Sequence, residues 1–290
     1  MPEGPEIRRM VDEIGSAVAG RTAETVMFAF ERFKSFEPLL AGRQVTSVEA
    51  RGKAVLVFLA ATDEDGPWCV YSHNQLYGKW MIGPSDREPA TNRQLRFAIL
   101  GAEKAARLYS ASDIRLVRPD ELDQVDYLVR LGPDPLNQAV SVDDLLAVFE
   151  DRRFHGRNLG GLLLDQAFIA GIGNYLRSEI LFEARLAPDI RPRDLDDVER
   201  GRLAEAILRM LQRAYTLKGI TNDPERAERL KRHGWTFGQR RHMVFNREDQ
   251  ACHECDGPVV KTAMASRRLY FCPSCQQRGD VKGQGNAGHN

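Results

Sequence analysis

Two groups of residues in this 290-residue chain have the types and spacing to do chemistry. The first is Pro2-Glu3-Gly4-Pro5-Glu6. Once Met1 is removed, as a small following residue favours, Pro2 presents a secondary amine on a rigid ring with a carboxylate beside it. Such an amine can attack an aldehyde-like carbon and form an iminium ion, the Schiff-base form of covalent catalysis. The same residues also suit a plainer reading, an ordinary chain end followed by a proline in a first helical turn. The second group is Cys252-x-x-Cys255 and, sixteen residues on, Cys272-x-x-Cys275. Two such knuckles at the separation of a β-hairpin make a tetrahedral shell of four thiolates for one zinc ion. A closed shell leaves no position for a reacting water, so the expected ion is structural. Two disulfides are the weaker reading where no export signal is seen. His253 lies inside the first knuckle, but the shell is complete without it, and Cys69 sits in an apolar strand and reads as a small buried hydrophobe.

These groups need elements to hold them. Ile7, Met10, Val11, Ile14 and Val18 fall on one helical stripe, and Pro5 suits the first turn of that helix. The Pro2 amine then lies near the positive end of the helix, where protonation is disfavoured and more of the amine stays nucleophilic. From Val26 to Val117 the pattern changes to short strands, among them 45–50, 54–59, 68–71, 95–100 and 106–109. No strand–helix alternation runs through them, so a sandwich or barrel is expected rather than a parallel sheet. Leu131-Gly132-Pro133-Asp134-Pro135-Leu136 reads as an interdomain connection. Leu162–Phe168 reads as a helix broken at Ala170–Gly173 and resumed at Asn174–Leu181, and Asp194 as the cap of a further helix facing inward through Leu203, Ile207, Met210 and Leu211. Between the cysteine knuckles, residues 259–271 read as two strands turning near Met264–Ser266. Arg267 projects close to that turn, where a guanidinium can grip a phosphate in bidentate fashion or simply face solvent.

The formal net charge is zero, but it is unevenly spread. From Arg229 to Arg278 ten Lys/Arg face four acids, a balance of +6, which leaves −6 on the remainder. A basic C-terminal module on an acidic chain is an electrostatic footprint for phosphates, with a solvated charged face as its plain competitor. No apolar run approaches the roughly 18 residues of a membrane span, so no membrane partner is expected. Glu3, Glu6, Arg8 and Arg9 precede any apolar stretch, unlike a secretory signal, and a cytoplasmic location is the expectation. The Gly-rich polar end, 278–290, reads as a disordered tail.

Together these pieces resemble the formamidopyrimidine-DNA glycosylase / endonuclease VIII family over roughly residues 2–277. The resemblance is carried by Pro2-Glu3-Gly4-Pro5-Glu6, Arg51-Gly52-Lys53, Gly171-Ile172-Gly173-Asn174-Tyr175-Leu176-Arg177, and the four cysteines with Arg267 five residues before Cys272. Gly4 and the segment Tyr71–Gly78 look like the endonuclease VIII branch rather than the purine-directed one. The implied fold is an α+β multidomain one: an N-terminal β-sandwich with an N-terminal helix (2–125), a linker (126–136), a helix–two-turn–helix domain (137–235) and a four-cysteine zinc finger (236–277). The implied activity is that of a monomeric bifunctional DNA glycosylase and AP lyase acting on oxidised pyrimidines in damaged double-stranded DNA. Pro2 would be the Schiff-base nucleophile and Glu3 the acid on the sugar ring oxygen. Lys53 would contact the damaged nucleotide and help protonate the leaving base. His73, Asn174 and Arg267 match phosphate-contacting positions, with Arg267 also counted in the catalytic set. Gln75, Leu76 and Tyr77 match the segment that fills the hole left by an extruded base, although Leu76 and Tyr77 would otherwise read as core. The alternatives are the sister specificity for oxidised purines and a non-catalytic zinc-finger DNA-binding protein.

Overall fold

The computed structural model describes residues 2–277; Met1 and the tail 278–290 lie outside the described residues. The chain divides into two compact units between Gln138 and Ala139.

The first unit opens with helix α1 (Gly4–Val18), whose buried face includes Ile7, Val11, Ile14 and Val18 of the expected stripe together with Ala17, while Met10 is only partly buried against the core. After β1 (Thr25–Phe28) and the short α2 (Glu37–Leu40) come β2 (Val45–Arg51), β3 (Ala54–Leu59) and β4 (Trp68–His73). They are followed by β5 (Lys79–Pro84), β6 (Leu95–Leu100), β7 (Lys104–Tyr109) and β8 (Asp113–Val117). Two four-stranded antiparallel sheets result, in the orders β1-β6-β7-β5 and β2-β3-β4-β8. Inward residues of both sheets share one core with α1, including Phe28, Val55, Val57, Leu59, Val70, Phe97 and Ile99. Of the sandwich and the barrel that the strand pattern leaves open, this is the sandwich.

Successive residues of a strand point to opposite faces, and β3 uses both. Val55, Val57 and Leu59 enter the main core, while Ala54 and Leu56 enter a second cluster with Cys69, Tyr71, Leu122 and Val125. Tyr127 and Leu128 of α3 (Asp126–Val129) pack against that cluster. The segment that reads as a linker thus covers the outer face of the second sheet. Cys69 is fully buried, as expected, and burial pushes its thiol up to about 12.

The second unit contains α4 (Val142–Glu150), α5 (Leu159–Leu162), α6 (Asn174–Glu183) and α7 (Asp197–Thr216), then α8 (Pro224–Arg232), α9 (Phe237–Arg240) and the hairpin β9 (Val260–Met264) and β10 (Arg267–Phe271). Every residue of α6 from Tyr175 to Phe182 is buried, which makes it the central helix of this unit. Two local expectations are corrected. Leu162–Phe168 is not a helix: α5 ends at Leu162 and turns follow. There the Asp165 carboxylate accepts the Ala167 N–H at 3.0 Å, and the Gln166 amide bonds the Ile172 carbonyl and the Gly171 N–H. These side chains take backbone groups that a helix would pair within itself. The cap of α7 is Asp196, not Asp194; its carboxylate accepts the Glu199 N–H at 2.8 Å. Among the described residues no helix is long and apolar enough to cross a membrane.

Candidate functional site

Glu3 is the residue before α1 and is only 4% exposed, while Pro2 ahead of it is half-buried. The Glu3 N–H donates to Glu6 Oε2 at 3.0 Å, which fixes the chain entering the helix. A buried acid directly after Pro2 is therefore held at the positive end of α1.

Lys53 sits in the two-residue turn between β2 and β3, where Arg51 pairs with Ala54. Gly52 takes φ +59°, which suits glycine at the first position of a primed hairpin turn. The turn's amides are bonded outward. Asp134 Oδ2 accepts the Gly52 N–H at 2.6 Å, and the Tyr127 hydroxyl accepts the Lys53 N–H at 2.8 Å. Asp134 is 4% exposed and also accepts from Asn137 Nδ2 at 2.8 Å, so the Pro-Asp-Pro stretch is fastened to the strand turn.

His73 ends β4 directly opposite Ala54, beside the Lys53 turn. The Gln75 N–H donates to His73 Nδ1 at 3.1 Å, which places the proton of the neutral ring on Nε2. Burial lowers the His73 pKa; Asp113 opposes that shift, and the Lys53 charge adds to it. The next turn is pinned by its backbone: Gly78 N–H donates to the Asn74 carbonyl at 2.7 Å, and a Cβ on Gly78 would lie 2.6 Å from that oxygen. Gln75 adopts φ +49°, its side chain accepts from Ser112 Oγ, and Arg93 donates to the Tyr77 carbonyl. At its tip Leu76 is 63% exposed and Tyr77 71% exposed, which overturns the reading of them as core. Two apolar side chains held outward on a stiff turn have the form of a wedge.

The remaining candidates belong to the second unit. Gly173 precedes α6 and Asn174 is its first residue. Arg177, fully buried, donates to Asn174 Oδ1 at 3.0 Å, to the Gly160 carbonyl at 2.6 Å, and to the carbonyls of Met264, Arg267 and Arg268 at 3.0–3.1 Å. One guanidinium thus ties the start of α6 to the β9–β10 turn, where Ala265 and Ser266 take φ +52° and +58° and Arg267 is exposed. The buried Glu179 carboxylate accepts from the Thr221 hydroxyl at 2.6 Å and from the N–H groups of Met243, Val244 and Phe245 at 2.8–2.9 Å. The four cysteines of the paired knuckles hold no disulfide, and their Sγ atoms all lie within 4.8 Å of one another. That clustering fits a single tetrahedral metal ion.

The first unit therefore places Lys53 beside His73 and carries Pro2, Glu3, Gln75, Leu76 and Tyr77, while the second ties Asn174 to Arg267. Sequence reasoning missed Tyr127, Asp134, Arg177 and Glu179. For Arg177 and Glu179 the signal was available: two charged residues in a helix with no polar face.

Comparison with known proteins finds relatives over both units. Residues 1–116 match the formamidopyrimidine-DNA glycosylase N-terminal domain, and residues 131–224 match the formamidopyrimidine-DNA glycosylase H2TH domain. Endonuclease 8 of Escherichia coli (strain 55989 / EAEC) is 41% identical over 276 residues, 95% of this chain and all of that protein. Endonuclease 8 of Enterobacter sp. (strain 638) is 40% identical over 277 residues, 96% of this chain and all of that protein. The chain belongs to the formamidopyrimidine-DNA glycosylase / endonuclease VIII family. Solved members share the fold of the family at low identity. The Lactococcus lactis Fpg complex with abasic-site DNA gives a TM-score of 0.75 at 19% identity, covering 95% of this chain and 99% of that one. The MutM complex with DNA containing carbocyclic 8-oxo-G gives 0.76 at 19% identity, covering 95% and 100%.

Proposed function

We propose that this DNA glycosylase and AP lyase of base-excision repair uses the Pro2 amine to remove oxidised pyrimidines from damaged double-stranded DNA. With Met1 gone, the Pro2 nitrogen attacks C1′ as the glycosidic bond breaks, and the base departs with a proton. The sugar remains as an iminium. Loss of a C2′ proton then expels the 3′ phosphate, and a second elimination expels the 5′ phosphate, leaving a one-nucleotide gap. Glu3 protonates the ring oxygen and opens the sugar, general-acid work that needs a carboxyl at the same carbon. Lys53 contacts the damaged nucleotide and assists the leaving base. His73, Asn174 and Arg267 hold phosphates, and Gln75, Leu76 and Tyr77 occupy the emptied stack. Cys252, Cys255, Cys272 and Cys275 hold one structural zinc ion, whose role is to fold the finger that carries Arg267. The enzyme works as a monomer in the cytoplasm.

The observation that carries this reading is the buried Glu3 next to Pro2 at the head of α1, where removal of Met1 would free the Pro2 amine. The pyrimidine choice is supported by the relatives named Endonuclease 8 and by the likeness of Gly4 and the segment Tyr71–Gly78 to that branch. Borohydride reduction on an abasic duplex tests the chemistry. The expected adduct maps to Pro2 and vanishes when an N-terminal extension keeps Pro2 in an amide. No adduct, or one that survives the extension, overturns it. A lesion panel tests the substrate: preference for 8-oxoguanine opposite cytosine over thymine glycol and dihydrouracil would overturn the pyrimidine assignment.

A further inference from the structure

The segment between the last strand of the first unit and the second unit carries chemistry of its own. Tyr127 lies on α3 and touches two functional turns at once. Its hydroxyl accepts the Lys53 N–H at 2.8 Å. Its ring meets the His73 imidazole edge-on, with centroids 4.9 Å apart and planes at 64°. The fit against the Lys53 turn is close: a Cβ on Gly52 would lie 2.6 Å from the Tyr127 hydroxyl oxygen and 3.0 Å from Leu131.

We propose that Tyr127 is a positioning residue for catalysis, setting the aim of Lys53 through its hydroxyl and the seat of His73 through its ring. The inference rests on the reading of Lys53 given above. Lys53 is on a long flexible stem, so the direction of its ammonium depends on where its backbone is fixed. In a two-residue turn the amide has no strand partner, and the phenol supplies the missing acceptor. The ring does a second job. His73 Nδ1 accepts the Gln75 N–H, so an imidazole that rotates releases the turn bearing Leu76 and Tyr77. An edge-on aromatic contact fixes ring orientation as well as adding apolar burial. Burial raises the Tyr127 phenol to about 12, with the Lys53 amide pulling it back and Asp134 raising it further, so the hydroxyl stays neutral through the working range.

The two functions separate by substitution. Tyr127→Phe removes only the hydroxyl, and Tyr127→Leu removes the ring as well. The expected result for Tyr127→Phe is a kcat for base excision lowered between about tenfold and a hundredfold with KM little changed, the scale of a small misplacement of a catalytic group. Amide hydrogen exchange in the full-length protein should quicken at residues 52–54, with only a small fall in the melting temperature. Tyr127→Leu should add a rise in KM, because the wedge turn loosens. Lys53→Ala is measured alongside. If Lys53→Ala abolishes excision while Tyr127→Phe keeps wild-type kcat and exchange at the turn, the positioning role is overturned and the Lys53 reading stands. If Lys53→Ala still excises at the wild-type rate, the Lys53 reading itself fails and the inference falls with it.

Discussion

Two hairpin turns of this protein present a cation, and they are built with opposite polarity. The β2–β3 turn, Gly52-Lys53, is held by its N–H groups: an acid and a phenol accept from it. The β9–β10 turn, beside Arg267, is held by its carbonyls: the buried Arg177 guanidinium donates to them. The first arrangement fixes the backbone that carries the Lys53 side chain through a carboxylate and a hydroxyl. The second adds a buried positive charge under a surface already rich in Arg and Lys, which suits a phosphate backbone. With the roles proposed for Lys53 and Arg267, the difference teaches how one chain would separate aim from grip. Catalysis needs a group directed to within a fraction of an ångström, whereas phosphate binding needs field and reach.

The contrast can be broken most severely at Arg177. Arg177→Met leaves several buried carbonyls without their donor, and a loss of about 3–5 kcal/mol in urea unfolding is expected. DNA affinity should fall with it across all sequences. Acid comes next. His242 is 4% exposed, bonds Thr221 at 2.8 Å and has its pKa driven well below the usual value by burial, helped by Arg241. The unfolded chain takes up that proton near pH 6.5, whereas the folded one does so only at much lower pH. Stability is therefore complete above about pH 6.5 and falls as the pH drops, by up to about 1.4 kcal/mol per pH unit. His242→Gln should flatten that slope in denaturation curves taken between pH 5 and 7, conditions chosen around the reference value. At the first turn, Gly52→Ala puts a side chain at φ +59° and 2.6 Å from Tyr127, for a loss of about 1–2 kcal/mol and a larger loss of kcat than of binding. The smallest stability effect belongs to Arg267→Ala, within about 0.5 kcal/mol because the side chain is exposed. Its signature lies in DNA titrations instead, where the slope of log K against log salt should drop by about one.

Much of this was legible in the sequence where local pattern decides structure. The α1 stripe, the two cysteine knuckles and the finger hairpin follow from spacing alone. The supports of the Lys53 turn were hidden because Tyr127 and Asp134 lie more than seventy residues from it, at separations of 74 and 82. One clue existed. Ala54-Val55-Leu56-Val57-Phe58-Leu59 is apolar at every position, and a strand of that kind must be covered on both faces. The covering residues, Leu122, Val125, Tyr127 and Leu128, lie just before the Pro- and Gly-rich stretch that reads as a connection. The Leu162–Phe168 expectation failed for a different reason: apolar spacing was right, but Asp165 and Gln166 spend their side chains on nearby backbone groups.

The two-faced burial of β3 also bears on how the protein is made. Leu122, Val125, Tyr127 and Leu128 are synthesised after all eight strands of the first unit, so the outer face of β3 stays wet until they emerge. A nascent chain paused before them exposes Leu56 and Tyr71 to chaperones or to other nascent chains. A fragment ended at residue 116, where the match to the N-terminal family domain stops, would carry that uncovered face permanently. One ended at Gln138 would not.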